Sequence, residues 1–227
     1  TLLNLLKQVK SQSEVEGRRN MAKIIWIGNM TWSAVENGNQ PWDKEIETKN
    51  IPDNTNLFNR KDNIFKASIP YMILPFLLCF LAVLYKKTTT QEFIFDIRFI
   101  PVSFIIGFIF AMLLHELFHA ICYPKGETVY IGVCVKELKA FAASSASLSR
   151  ERYIAMSLAP SLLGLLSLIA FLICPLSQKW LLTICLVPSF MGLISPAPDY
   201  MDVLMLLKEA PHGAIIQPTK DGLAWYR

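Results

Sequence analysis

An α-helical membrane protein is the fold class that this sequence predicts. It should have about four transmembrane helices, with a short β-hairpin or extended segment between the second and the third. Three observations predict it. First, the 227 residues are 53% hydrophobic and only 18% charged, with a mean hydropathy of +0.37, which is too apolar for an ordinary soluble domain. Second, four long apolar runs follow one another between residues 68 and 207. Third, "ETVYIGVCVKEL" between the second and third runs alternates weakly and is rich in Val, Thr and Tyr, as strands are. The formal net charge of +4 comes without a dense basic cluster, so nucleic acid is not an expected partner. Five cysteines, an odd number, do not make a disulfide framework, and Cys79, Cys174 and Cys185 lie inside apolar runs as small hydrophobes.

Along the chain, residues 1–66 form a polar segment, expected to be largely irregular, with turn chemistry at "VENGNQPWDKE" and "IPDNTN" and a short strand at "KIIWIG". The first Met is Met21, preceded by "EGRRN", which predicts a native start there. Residues 67–208 form the membrane-embedded domain, and 209–227 a C-terminal tail. The apolar runs cover 68–85, 99–122, 153–174 and 180–194, the last continuing through "SPAPDY" into "MDVLMLL". The first three reach the roughly 20 residues that a bilayer core requires. The fourth can span if it starts in the interface at Trp180. Pro75, Pro160 and Pro188 predict kinks. With four spans, Arg60, Lys61, Lys66, Lys125, Lys136, Lys139, Arg150, Arg152 and Lys208 share one side, against Lys86, Lys87, Arg98 and Lys179 on the other. That bias predicts cytoplasmic termini.

"LLHELFHA", positions 113–120, puts three ionisable groups into one of the most apolar stretches. Such groups are costly in a membrane span unless paired or bound to something. His115 and His119 are four apart and so share one helix face, as two ligands of a tetrahedral zinc site must. Glu116 is one residue on, so its carboxylate lies beside the ion. There it can take a proton from a zinc-bound water and pass it to a leaving amine.

A catalytic zinc has three protein ligands, so a third must come from elsewhere. His212 lies in the polar tail after Pro211 and reads as a solvated histidine. Cys122 reads as a packed cysteine. Asp199 and Asp202 in "SPAPDYMDVLMLL" are the only acids between Arg152 and Glu209. Either can be a ligand, and either can instead serve the positive end of a helix starting near Pro198. Asp202 is the preferred ligand because it directly precedes the apolar run. Asp199 is the alternative, and otherwise orients a ligand or positions substrate. If the second and fourth spans both descend toward the cytoplasm, the histidines and the two aspartates lie at one depth.

These residues — "HELFHA" in a span, then an extended segment, "LSRERYIAMSLAP", and an acidic motif near the last span — resemble the membrane zincin peptidases, a bacterial family first described as of unknown function. The resemblance covers roughly residues 70–208. More distantly the chain is similar to the site-2 group of intramembrane metalloproteases. The resemblance implies zinc held by His115 and His119, with Glu116 as the base. In the site-2 group the third ligand is an Asp in a Leu-Asp-Gly motif after an Asn-Pro stretch. Here the matching region reads "SPAPDYMD", which leaves Asp199 and Asp202 both open.

The expected function is therefore a zinc-dependent integral membrane metallopeptidase of the bacterial cell membrane, acting on a membrane or membrane-associated protein. The alternative is a non-catalytic membrane protein that binds metal, of an accessory or immunity type. Glu116 favours the enzyme, because a structural site needs no base. A transporter subunit is a third reading, but with few intramembrane charges beyond the motif a conduction path is hard to draw. "ETVYIGVCVKEL" reads as a surface hairpin, whose edge could also receive an extended peptide.

Overall fold

The computed structural model describes residues 22–60, 63–90 and 92–227. The expected start at Met21 and the Lys61 of the charge count lie outside the described residues. The polar N-terminal part holds β1 (Lys23–Asn29), α1 (Trp32–Glu36), α2 (Pro41–Thr48) and β2 (Asn56–Leu57). It is therefore more regular than its turn-rich composition suggests. Pro41 starts α2, and Gln40 and Asp43 cap each other's backbone, with the Gln40 N–H donating to Asp43 Oδ2 at 2.8 Å.

The first apolar run forms α3 (Ile64–Thr88). The Asn63 side chain accepts the Lys66 N–H at its start, and Lys86 and Lys87 lie in its last turn. The second run is α4 (Ile100–Ile109), a π-helical turn over Phe110–Leu114, and α5 (His115–Ile121). After it come β3 (Thr128–Cys134), β4 (Lys139–Ala143) and β5 (Leu148–Ser149). The third run is divided into α6 (Arg150–Leu158) and α7 (Ser161–Ile173), bent by 43° around Pro160. The fourth is divided into α8 (Lys179–Ile194) and α9 (Ala197–Glu209) at Ser195–Pro196. Among the described residues, three helices are long and apolar enough to cross a membrane: 64–88, 97–121 and 179–209. The count rises to four if the bent pair is one span. Prolines mark both breaks, since each removes a backbone donor that a continuous helix would use.

The helices pack through small residues. A Cβ on Gly164 of α7 would lie 2.4 Å from the Gly192 backbone of α8, so the two chains touch directly. A Cβ on Gly107 of α4 would lie 2.8 Å from the Val187 side chain of α8. Phe171 and Leu182 fill the core of this bundle. The outer faces of α3 and α4 stay apolar and exposed, for instance Leu74, Leu81, Phe104 and Ile105, as suits a lipid environment.

Among the described residues, two sheets lie beside the helices. One has the order β1-β3-β4, with β1 parallel to β3 and β3 antiparallel to β4. The expected hairpin between the second and third runs is thus present, joined to a strand from the N-terminal segment. The other sheet has the order β2-β7-β6-β5, where β6 (Ile215–Thr219) and β7 (Gly222–Tyr226) pair across a tight turn. The residues expected as a C-terminal tail therefore fold as a hairpin. Its Ile216 and Ala224 are buried, and Ile216 packs with Leu206 of α9. Gly222, at φ +123°, takes the backbone conformation that the turn requires and that other residues rarely adopt.

Candidate metal centre

The π turn at Phe110–Leu114 ends where the motif begins, with the His115 N–H reaching the carbonyls of Phe110 and Met112. A single wide turn re-phases the helix, and such turns recur at functional sites. It lets the face of α5 that carries His115 and His119 point into the protein while α4 keeps its apolar side outward. His115 is buried and His119 nearly so, and their Nε2 atoms lie 3.1 Å apart.

His119 Nδ1 lies 3.0 Å from the carbonyl oxygen of Met156. With that nitrogen as the donor, the Nε2 lone pair faces the cluster. The carbonyl is available for a reason written in the sequence. Its helical partner would be the N–H of residue 160, and Pro160 has none. The Ala159 N–H also approaches it, at 3.3 Å.

The third group comes from α9. The break at Ser195–Pro196 is held by the Tyr200 hydroxyl, which donates to the Leu193 carbonyl at 3.0 Å. Restarting the helix there puts Asp199 in its first turn, facing α5. Asp199 Oδ2 is 3.3 Å from His115 Nε2, and Oδ1 is 3.4 Å from His119 Nε2. His115, His119 and Asp199 form a group that could hold a metal ion, with their donor atoms all within 4.8 Å of one another. Two imidazole nitrogens and a carboxylate oxygen suit zinc. Zinc–ligand bonds of about 2.0–2.1 Å give a tetrahedral edge of about 3.3 Å, which the spacings of 3.1, 3.3 and 3.4 Å match.

Asp202, the preferred third ligand in the sequence, is not in this group. Its carboxylate turns to Arg60, whose Nη2 donates to Oδ2 at 2.7 Å. The acid is 5% exposed, and its Oδ1 is buried without a hydrogen-bond partner among the described residues. The alternative, Asp199, occupies the place between the imidazoles. The structure thus brings the alternative, Asp199, and not the preferred Asp202, beside the imidazoles, while Asp202 pairs with Arg60. Cys122 is also outside the group; its carbonyl accepts Arg152 Nε. His212 is an exposed residue beside Glu151 and Arg150.

Glu116 flanks the same turn, and its carboxylate faces the backbone of Ala142 on β4. Glu116, His115, His119 and Asp199 all line a cavity of about 910 Å³. One wall is apolar and rich in methionine, with Met72, Met112, Met156 and Met191 from four different helical segments. Methionine walls adapt to varied side chains. Another wall is β4, an edge strand of its sheet among the described residues. Tyr123, just past the end of α5, also lines the cavity; burial pushes its phenol up to about 12, and the nearby Glu116 adds to the effect. Its hydroxyl therefore keeps its proton. Tyr123 follows His119 by four residues, a spacing that already pointed to the histidine face, whereas nothing in the local sequence pointed to Arg60.

Residues 108–215 match the family model described as "Putative zincin peptidase". The match takes in the His-Glu-x-x-His segment, Pro160 and both aspartates, and leaves Arg60 outside. No curated protein and no solved structure matches the chain. Over residues 108–215, a little under half of its length, the chain is similar to the family described as putative zincin peptidases.

Proposed function

We propose that the chain is a zinc-dependent integral membrane metallopeptidase that hydrolyses peptide bonds of a membrane or membrane-associated protein. One observation carries this reading: two imidazole nitrogens and one carboxylate oxygen lie at the mutual spacings of a tetrahedral zinc face, with a glutamate beside them. His115, His119 and Asp199 are the proposed ligands. A zinc ion held there would polarise a peptide carbonyl and lower the pKa of a water.

The residues of the chain supply the rest. Glu116 is the general base, accepting a proton from the attacking water and delivering it to the leaving amine. The Met156 carbonyl holds the His119 ring in one tautomer and orientation. The phenol of Tyr123 is a protonated donor at the cavity wall. β4 offers the backbone groups of an edge strand to an extended peptide. The apolar wall shields the reacting groups from bulk water and receives apolar side chains. Cytoplasmic termini belong to the same reading, and they put the site near the cytoplasmic end of its spans.

Metal content and cleavage, measured on the same detergent-purified samples, test it. About one zinc per chain is expected, lost on His115→Ala. Glu116→Gln should keep zinc and lose activity by roughly 10²–10⁴-fold, as expected for a positioned acid–base group. A wild-type protein without metal, or a Glu116→Gln protein that cleaves at the wild-type rate, would end the proposal. Topology has its own test. Cysteines placed at Lys125 and Lys139 should resist an impermeant thiol reagent outside intact cells, and efficient labelling would invert the orientation.

A further inference from the structure

Arg60 lies in a loop outside the family-matched segment, yet its guanidinium reaches the metal cavity. It pairs with Asp202 through Nη2 alone. Its Nε and Nη1 have no partner among the described residues. The side chain is 37% exposed while its partner is 7% exposed. Thus one edge of the guanidinium is anchored in the protein and the rest is open. Arg60 also lines a second cavity of about 270 Å³, bounded by Tyr71, Met205, Lys208 and Glu209, so it forms the wall between the two.

Its distance from the metal centre follows from the helix that holds it. Asp202 is three residues beyond Asp199 on α9, which puts the two side chains on one face about 5–6 Å apart at Cβ. The guanidinium lies one carboxylate and one hydrogen bond beyond Asp202 and lines the same cavity, which puts it within a few residues of the scissile position along an extended chain of about 3.3–3.8 Å per residue. A buried carboxylate with an orphaned oxygen is a costly way to fasten a loop, and apolar packing would do that at least as well. What the pair achieves is the placement of a fixed cation. Among the described residues the cavity's other lysine or arginine, Lys139, is stacked over the Trp32 ring at 4.0 Å on the side of the hairpin.

We infer that Arg60 is a specificity-determining residue, which recognises a substrate carboxylate within a few residues of the cleaved bond. The inference rests on the peptidase reading above. Asp202 takes one hydrogen of Nη2, so the second Nη2 hydrogen and the free N–H beside it still form a planar fork that fits a carboxylate through paired hydrogen bonds, and a neutral amide much less well. The carboxylate has two sources, an acidic side chain near the scissile bond or a free C-terminus. Asp202 is the positioning residue that aims the guanidinium.

The test uses short fluorescent peptides in matched forms: free C-terminal carboxylate against C-terminal amide, and internal Glu against Gln. Affinity is measured by fluorescence anisotropy on the full-length Glu116→Gln protein, and cleavage on the otherwise wild-type protein. Arg60 is removed together with the charge it neutralises, as Arg60→Gln with Asp202→Asn, so that no unpaired buried carboxylate is left to unfold the chain. Carboxylate forms should bind and cleave roughly 10–100-fold better than their amide counterparts, the range for a hydrogen-bonded charge. The preference should vanish in the paired variant, with cleavage of the amide forms retained. Preference for the free C-terminus identifies an exopeptidase-like source, and preference for internal Glu a side-chain source. Equal affinity and cleavage for carboxylate and amide forms, or a preference that survives without Arg60, would overturn the inference and leave the peptidase reading intact. Carboxylate-dependent binding with no cleavage of any peptide by zinc-loaded protein would support Arg60 and count against the peptidase reading. Absence of both binding and cleavage overturns both.

Discussion

Asp199 and Asp202 lie three residues apart on α9, both largely buried and both lining the same cavity. Asp199 meets two imidazoles at 3.3 and 3.4 Å, whereas Asp202 holds a guanidinium at 2.7 Å. Local propensity treats the two alike, since either carboxylate suits the first turns of a helix that starts after a proline. The difference comes from partners brought from elsewhere in the chain. Two histidines on α5 take one acid, and an arginine 142 residues away in sequence takes the other. A carboxylate that already has a full positive charge beside it has less to gain from a second cation.

The sharpest way to break the comparison is to neutralise each acid in turn. Asp199→Asn should lose zinc, because an amide oxygen is a poorer ligand than a carboxylate, and activity should fall at least as far as with Glu116→Gln, roughly 10²–10⁴-fold. Asp202→Asn should keep zinc. Elemental analysis of the two purified variants reads the contrast directly. If Asp202→Asn loses the metal and Asp199→Asn keeps it, the assignment of roles is inverted.

The frame that presents both aspartates can be disturbed without touching either. α8 carries α9, and α8 is seated on α7 where Gly164 meets Gly192 backbone to backbone. Gly164→Ala puts a methyl carbon 2.4 Å from a backbone atom, a clash that no side-chain movement relieves. The helices must separate, at a cost of about 1–3 kcal/mol, the usual range for overpacking. Thermal unfolding in detergent should show the loss. Because α8 moves as a unit, zinc retention should weaken while the Arg60–Asp202 pair persists. An unchanged melting temperature would mean that this helix contact is looser than the geometry implies.

How much of this was readable in the sequence depends on how local each feature is. His115 and His119 were legible because both belong to one helical turn, where spacing alone sets the face. The hairpin between the second and third runs was legible from its composition. That Asp199 rather than Asp202 lies beside the imidazoles was not, because Asp202 pairs with Arg60, which no local pattern connects to α9. The hairpin at Ile215–Tyr226 has a usable signal in "TKDGL", a turn pair between two apolar runs, which the short polar end after the last span obscures. The third apolar run is bent at Pro160, so its standing as a span depends on counting two helices as one. Proline marked the place of that bend, but the bend's use lay in a carbonyl four residues earlier.

That carbonyl offers the finest test of the comparison, since it belongs wholly to the histidine side. Pro160→Ala restores a backbone N–H at the position that a regular helix would pair with Met156. The carbonyl would then be drawn toward its helical partner and away from His119 Nδ1, now 3.0 Å distant. The imidazole would lose the acceptor that fixes its tautomer, and its Nε2 lone pair would face the cluster only part of the time. Outer hydrogen-bond partners of this kind are worth 10–100-fold in metal affinity. A loss near the lower end, about tenfold, is expected here, because Ala159 already shares the carbonyl and the helices cannot fully straighten while α7 stays packed on α8. Competition with a chromogenic chelator measures it. Stability should hold or rise slightly, since alanine favours a helix more than proline does, so weaker zinc binding could not be blamed on unfolding. The Arg60–Asp202 pair lies on another helix and should not respond. A Pro160→Ala protein that holds zinc as tightly as wild type would show that the Met156 carbonyl is only a neighbour of His119, and that the missing N–H of Pro160 shapes the bend alone.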